Sequence, residues 1–344
     1  MTTVLITGGA GFIGSNFVHY LHSHHPDYEV VVLDALTYAG CMENLPPEMR
    51  DINYTRMRFW YGDVTNADLV TALVSESDYV VHFAAETHVT RSIFDNRLFF
   101  HTDVLGTQTV ANAVLKAGGR VRRFIHISSS EVYGTAESAV MDENHPLKPM
   151  SPYASAKCGA DRLVYSYCAT YGLPAVILRP FNNYGPRQHL EKVVPRFITS
   201  LLLNEKLTVH GGGAAARDFV YVDDTCRAID ALMHADAALV DGEVFNAGSG
   251  EDRSILAIAR DLVRVFGGDE SLIEATGERP GQVMRHTADF SKIKRVLGWE
   301  PKVGWEQGLH QTIDWFTSNR DWWEAQLWMR RIPIITASGK QEYH

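Results

Sequence analysis

Tyr153-Ala154-Ser155-Ala156-Lys157 sets a phenol and an amine four residues apart. On a helix that spacing puts both side chains on one face. An ammonium beside a phenol favours the phenolate, and a phenolate can take the proton of a hydroxyl. Upstream, the apolar run Phe124-Ile125-His126-Ile127 ends in Ser128-Ser129-Ser130-Glu131. Ser129 can hydrogen-bond a substrate oxygen beside Tyr153, provided the two segments meet at one edge.

A second constellation lies at the start of the chain. Gly8-Gly9-Ala10-Gly11-Phe12-Ile13-Gly14 follows the apolar run Val4-Leu5-Ile6 and precedes a helix-like stretch from Ile13 to His22. Glycine permits the tight turn and lets backbone N–H groups approach a pyrophosphate, while the helix N-terminus favours the negative charge. Asp34 closes the next apolar run, Val30-Val31-Val32-Leu33, about 20 residues on, where a carboxylate accepts bonds from a ribose and repels a 2′-phosphate. The pattern predicts NAD rather than NADP, held by Gly8, Gly11, Phe12, Ile13, Gly14, Asp34 and Thr37. Asp63-Val64 is placed near the adenine edge. Ala84-Ala85, after a third apolar run, lets the cofactor lie against the backbone. Tyr153 and Lys157 complete this set, with hydride leaving the carbon whose hydroxyl Tyr153 deprotonates.

These residues need a scaffold. Candidate strands at 4–6, 30–33, 79–83, 124–127 and 175–178 alternate with helix-length segments such as 103–116 and 153–171. This predicts an α/β fold, a Rossmann-type doubly wound parallel sheet. The carboxyl ends of its strands face the ligand crevice. After Asn183 the pattern loosens into a smaller α/β substrate lobe, with helical signals at 194–203, 255–266 and 305–316 and a strand near 219–222. The expected division is 1–183 for the NAD lobe, with the chain crossing back later, 184–330 mainly for a nucleotide-sugar lobe, and 331–344 as a tail. The tryptophans Trp315, Trp322, Trp323 and Trp328 are expected to anchor the last helices.

The 344 residues are 45% hydrophobic and 21% charged, enough for a sizeable core. Lysine and arginine number 32 against 41 acidic residues, a net charge of −9, with no basic block. That argues against a nucleic-acid backbone as partner. No run of about 18 apolar residues indicates a membrane span, and the N-terminus lacks a signal-peptide pattern. Four scattered cysteines without CxxC suit reduced thiols, so a cytoplasmic location is expected. No HxH or HExxH pattern accompanies His88, and no metal is expected.

Together these motifs resemble the extended short-chain dehydrogenase/reductase family, and more closely nucleotide-sugar 4,6-dehydratases of the dTDP-glucose 4,6-dehydratase type. The likeness spans residues 1 to about 325. Further stretches carry it: Asp34 to Gly40, Ala84 to Val89 with Arg91-Ser92-Ile93, Glu131 to Gly134, Asn182 to Pro186, Arg217-Asp218-Phe219, Glu278-Arg279-Pro280-Gly281 and Leu297-Gly298-Trp299.

The resemblance implies a reaction. Tyr153, with Lys157 and Ser129, deprotonates the sugar 4-hydroxyl while NAD takes the C4 hydride. Glu131 removes the acidified C5 proton, the C6 hydroxyl leaves as water, and the hydride returns to C6. The dTDP-glucose enzymes resemble Thr-Asp-Glu where this chain has Ser129-Ser130-Glu131. Serine is a far weaker acid than the aspartic acid expected to protonate the leaving hydroxyl. Water relayed through Ser130, or acid–base double duty by Glu131, could serve instead. Thr90 replaces the aspartate of His-Val-Asp-Arg-Ser. Two alternatives share the scaffold, a nucleotide-sugar 4-epimerase and a UDP-glucuronate decarboxylase. A third, of another class, is a non-catalytic NAD-binding sensor or scaffold.

The substrate implied is a dTDP- or UDP-hexose. By resemblance His88, Thr90 and Arg91 belong to the sugar pocket, Asn183 lies near the diphosphate, and Glu191 and Lys192 near the pyrimidine; Arg187, in the same stretch beyond the fifth apolar run, is a further substrate-site candidate. Arg217 and Arg279 are candidates for paired bonds to phosphate. Val104, Val110, Val114, Leu163, Val164 and Tyr165 could face both the sheet and a second subunit. The family resemblance implies a homodimer built on a four-helix interface.

Overall fold

A computed structural model describes every residue except 52, 278–282, 331–332, 336–340 and 344. Six strands alternate with helices along the first half: β1 (Thr3–Thr7), β2 (Glu29–Asp34), β3 (Met57–Tyr61), β4 (Tyr79–His82), β5 (Arg123–Ile127) and β6 (Ala175–Pro180). The chain then leaves for β7 (Asn182–Tyr184), β8 (Leu207–His210) and β9 (Ala216–Tyr221), and returns as β10 (Val244–Ala247). The main sheet is parallel, in the order β10-β6-β5-β4-β1-β2-β3. This is a Rossmann-type α/β fold. Strand order reverses around β1, which pairs with β2 on one side and β4 on the other. A crevice opens at such a switch point, beyond the carboxyl ends of the strands.

Helices cover both faces of the sheet, so its strands read as near-continuous apolar runs. Val4 and Ile6 pack toward Phe17, Leu21, Ile229 and Leu232. Leu5, between them, points to Val70, Val110, Val114 and Val164. Each fully buried aliphatic of this kind stabilises the fold by roughly 1.5–3 kcal/mol.

Two elements differ from the sequence-based reading. β3 was not expected, because it is an edge strand with Trp60 and Tyr61 exposed and no apolar run. The helix expected from residue 103 begins as a wider π turn over Phe100–Gly106 and becomes regular at Thr107–Lys116. β10 and the helix Val222–His234 pack with the first core, in the part of the chain where a crossing back was expected. His25 Nε2 and the Tyr20 hydroxyl reach Asp230 at 2.8 and 3.2 Å, tying Val222–His234 to the helix Phe12–His24.

A second core gathers Tyr184, Phe197, Ile198, Phe219, Ile258, Leu262, Phe316 and Trp323. β7 pairs parallel with β9, which pairs antiparallel with β11 (Asp252–Ser254). β12 (Ile273–Thr276) pairs with β8. Trp323 is fully buried and Trp328 is largely exposed. No helix among the described residues is long and apolar enough to cross a membrane.

Candidate active site

Tyr153 and Lys157 stand on the 20-residue helix Pro152–Tyr171. Ser151 caps it, its Oγ accepting the Ala154 N–H at 3.1 Å, with Pro152 in the first turn. Gly172 ends it in the left-handed region, at φ 65°. Asp161 anchors it to the sheet. Arg179 of β6 donates to both Asp161 oxygens at 2.8 and 2.9 Å, and Ser128 Oγ donates at 2.7 Å. Burial pushes the Asp161 carboxyl up, but the Arg179 bonds and charge prevail and hold it well below the usual carboxylate range. This clamp fixes the helix against the ends of β5 and β6.

Two adjoining cavities meet at Tyr153. The smaller, about 180 Å³, is lined by every residue expected to hold the dinucleotide: Gly8, Gly11, Phe12, Ile13, Gly14, Asp34, Thr37, Asp63, Val64, Ala84, Ala85, Tyr153 and Lys157. The larger, about 360 Å³, is lined by Ser129, Ser130, Glu131, Tyr153, His88, Asn183, Glu191, Lys192 and Arg217, among others.

The glycine turn is close-packed. Gly8 has φ +72°, and a Cβ there would sit 2.5 Å from the Ala84 nitrogen. A Cβ on Gly14 would sit 2.3 Å from the Gly8 carbonyl oxygen. Side chains at either position would displace the turn from the crevice. Asp34 accepts the N–H groups of Ala10 and Leu36 at 2.9 and 2.8 Å, which orients it at the strand end. Its carboxyl is raised by burial and lowered by those two bonds. Glu86, also lining this cavity, keeps a buried Oε2 without a hydrogen-bond partner. A glycine cradle, a carboxylate at the end of β2 and an orphaned acceptor fit a dinucleotide.

Around the phenol, burial is the largest influence and raises the Tyr153 pKa. Hydrogen bonds with Ser129 and Thr87 lower it, and the charges of Asp103 and Glu131 raise it. The lowering expected from Lys157 is not among the main influences on the phenol. Lys157 Nζ donates to the Ile127 carbonyl at 2.7 Å, and burial pulls its pKa below the ordinary value against Asp103 and Asp161. Ser129 caps the short turn Ser130–Tyr133, its Oγ accepting the Glu131 N–H at 3.1 Å. Arg217 Nε lies 3.9 Å from Glu131 Oε1.

On the far wall, Tyr38 donates to Glu191 Oε1 at 3.2 Å, and Arg91 stacks on the Tyr38 ring at 3.7 Å. Lys192 Nζ reaches the Thr87 carbonyl at 2.8 Å. Asn183 Oδ1, Gln188 Oε1 and Glu191 Oε2 are buried without hydrogen-bond partners. Each such group costs about 1–3 kcal/mol unless a ligand supplies its bond. Thr90 and Arg91 lie behind this wall rather than in the lining. Arg187 is also outside both cavities, donating to Asn16 Oδ1 at 2.6 Å. Arg279 lies outside the described residues.

Sequence reasoning missed Thr87, Gln188, Arg196 and Arg330 in the lining. Thr87 was readable as the next residue but one after Ala84-Ala85. Arg330 is more than 100 residues from its Glu205 and Ser200 partners and carried no local signal.

Comparison with known proteins agrees with this geometry. A family profile described as GDP-mannose 4,6 dehydratase matches residues 5–312. The low-salt glycan biosynthesis protein Agl12 of Haloferax volcanii is 44% identical over 313 residues, covering 91% of this chain and 98% of that protein. A dTDP-glucose 4,6-dehydratase of Mycobacterium tuberculosis is 42% identical over 324 residues, covering 93% and 95%. Among solved structures, DesIV, a dTDP-glucose 4,6-dehydratase from Streptomyces venezuelae with NAD and TYD bound, superposes with a TM-score of 0.89. It is 42% identical, covering 94% of this chain and all of that one.

Proposed function

The chain belongs to the GDP-mannose 4,6 dehydratase family, as an NAD-dependent nucleotide-sugar dehydratase of the extended short-chain dehydrogenase/reductase kind, and on that premise we propose that it converts a dTDP- or UDP-hexose to the 4-keto-6-deoxy sugar. NAD, when bound, supplies the acceptor for the C4 hydride and its return to C6. Tyr153 takes the 4-hydroxyl proton, with Ser129 and Thr87 positioning the oxygen. Glu131 takes the C5 proton once the 4-ketone has acidified it. Ser130 faces the departing C6 hydroxyl. Arg217, Arg196 and Arg330 suit a diphosphate, and Glu191 with Lys192 a pyrimidine.

One observation supports dehydration over epimerisation. Glu131 lines the same cavity as Tyr153, two residues from Ser129. An epimerase needs no carbon base there. The test is product analysis by mass and NMR with dTDP-, UDP- and GDP-hexoses and UDP-glucuronate. Substrate C4 deuterium should appear at C6 of a 4-keto-6-deoxy product. A C4 epimer without water loss would refute the reading. Glu131→Gln should abolish water loss yet leave partial reduction of bound cofactor. Full dehydration by that variant would show that the base lies elsewhere.

The proposal extends to a cytoplasmic homodimer. Val110, Val114 and Val164 are buried within the subunit, so they do not serve both faces. Phe94, Leu98, Leu105 and Tyr165 are among the exposed apolar residues on or near those helices, and they are the proposed contact surface.

A further inference from the structure

Water loss needs an acid at the C6 oxygen, and Ser130 stands where a carboxylic acid is expected. We infer that His286, buried behind Ser130, is the proton source for the departing C6 hydroxyl and acts through the Ser130 hydroxyl. The inference rests on the dehydratase reading.

The geometry carries it. Ser130 Oγ lies 3.3 Å from His286 Nδ1. His286 Nε2 lies 2.7 Å from the Gly134 carbonyl oxygen, which can only accept. That assigns the Nε2 proton and leaves Nδ1 facing Ser130. Ser130 is 2% exposed and His286 is fully buried, yet Ser130 lines the larger cavity beside Glu131. The link therefore runs from a buried imidazole to the cavity surface through one hydroxyl.

Protonation of the ring reverses the link. A neutral His286 accepts the Ser130 hydroxyl proton at Nδ1, and only the serine oxygen faces the substrate. An imidazolium donates from Nδ1 to Ser130 Oγ and frees the hydroxyl proton for the cavity. Burial is the largest influence on the ring and lowers its pKa. Glu131 and the Gly134 carbonyl raise it, while Arg217 and His145 lower it. Phe181 meets the ring edge-on at 6.1 Å and adds no charge.

The step balances. Glu131 takes the C5 proton, and the C5–H electron pair becomes the C5–C6 double bond as the C6–O bond breaks. The leaving oxygen takes the Ser130 proton, and Ser130 takes the Nδ1 proton. Water departs and His286 is left neutral. Glu131 returns its proton to C5 when C6 is reduced. Water in the cavity reloads His286 through the Ser130 hydroxyl, while the 4-hydroxyl proton leaves through Tyr153, so the cycle consumes no net acid.

His286→Asn keeps a partner for Ser130 but cannot titrate. His286 acts through another residue, so the test separates two half-reactions in single turnover. Cofactor reduction should stay within about threefold of the wild type, while water loss slows by about 100-fold and reduced cofactor accumulates. Wild-type water loss should fall as pH rises through the His286 midpoint, by roughly tenfold per unit, and the variant should lack that limb. Ser130→Asp in the His286→Asn background should restore water loss at least about tenfold. Ser130→Ala breaks the link without touching the imidazole and should give the same slowing. Water loss at the wild-type rate and pH profile in either His286→Asn or Ser130→Ala overturns the proposal. Absence of water loss in the wild type, with any of the sugars, would instead overturn the dehydratase reading.

Discussion

Tyr153 is pulled toward and away from acidity by different neighbours. Ser129 and Thr87 hydroxyls stabilise its oxyanion, and Asp103 and Glu131 oppose it. Its proposed role therefore depends on the positive charge that NAD would bring when bound. Tyr153→Phe should lower kcat by about 10²–10⁴ and leave NAD affinity, measured by titration calorimetry, close to the wild type. A loss confined to affinity would contradict the assignment. At this scale the residues expected to hold the dinucleotide could be brought together from the sequence, because they sit at the ends of strands that the apolar runs reveal and line one cavity. Arg187, a substrate-site candidate from its place beyond the fifth apolar run, has a φ of +65° and turns to Asn16, outside the lining of both cavities. His286 gave no signal, since it meets Ser130 across a sequence separation of 156 residues that only the fold closes.

At the scale of elements, the Pro152–Tyr171 helix was legible at both ends. Ser151 and Pro152 start it and Gly172 stops it. The π turn at Phe100–Gly106 was not, because its residues are compatible with a regular helix. Tertiary contact decides it: Asp103 accepts the Glu86 N–H at 2.7 Å from this turn. What holds the catalytic helix in place is the buried Asp161–Arg179 pair. Asp161→Asn would leave the Arg179 charge buried without its counter-ion. The expected cost is about 3–5 kcal/mol, measured by denaturant unfolding with the m-value unchanged. Less than about 1 kcal/mol would mean that Arg179 finds a sufficient partner in Tyr133, which it already reaches at 2.9 Å.

For the whole molecule, the sheet interior holds unprotonated imidazoles. His126 is fully buried, and neither ring nitrogen has a hydrogen-bond partner. Burial, then the charge of Lys157, keep its pKa well below the ordinary 6.5. The unfolded chain takes up this proton below pH 6.5 and the folded chain does not, so His126 contributes stability above 6.5 that is lost as pH falls. Buried carboxyls such as Asp34, raised by burial, have the opposite sign. The clean measurement is thus a difference. His126→Phe should lose less stability than the wild type between pH 6.5 and 4.5, by up to about 1.4 kcal/mol per pH unit. Parallel stability–pH curves would show that the ring charges in the fold. The return of β10 to the sheet edge has a consequence for the order of synthesis. β10 covers the flank of β6, and its Asn246 accepts the hydroxyl of Tyr133, in the turn that carries Glu131. On the ribosome, a chain that has produced every residue lining the smaller cavity still lacks the edge strand that pairs with β6. The turn that carries Glu131 gains its Tyr133–Asn246 bond only from a residue made more than 100 positions later, so it is not fully braced until the chain has run past β10.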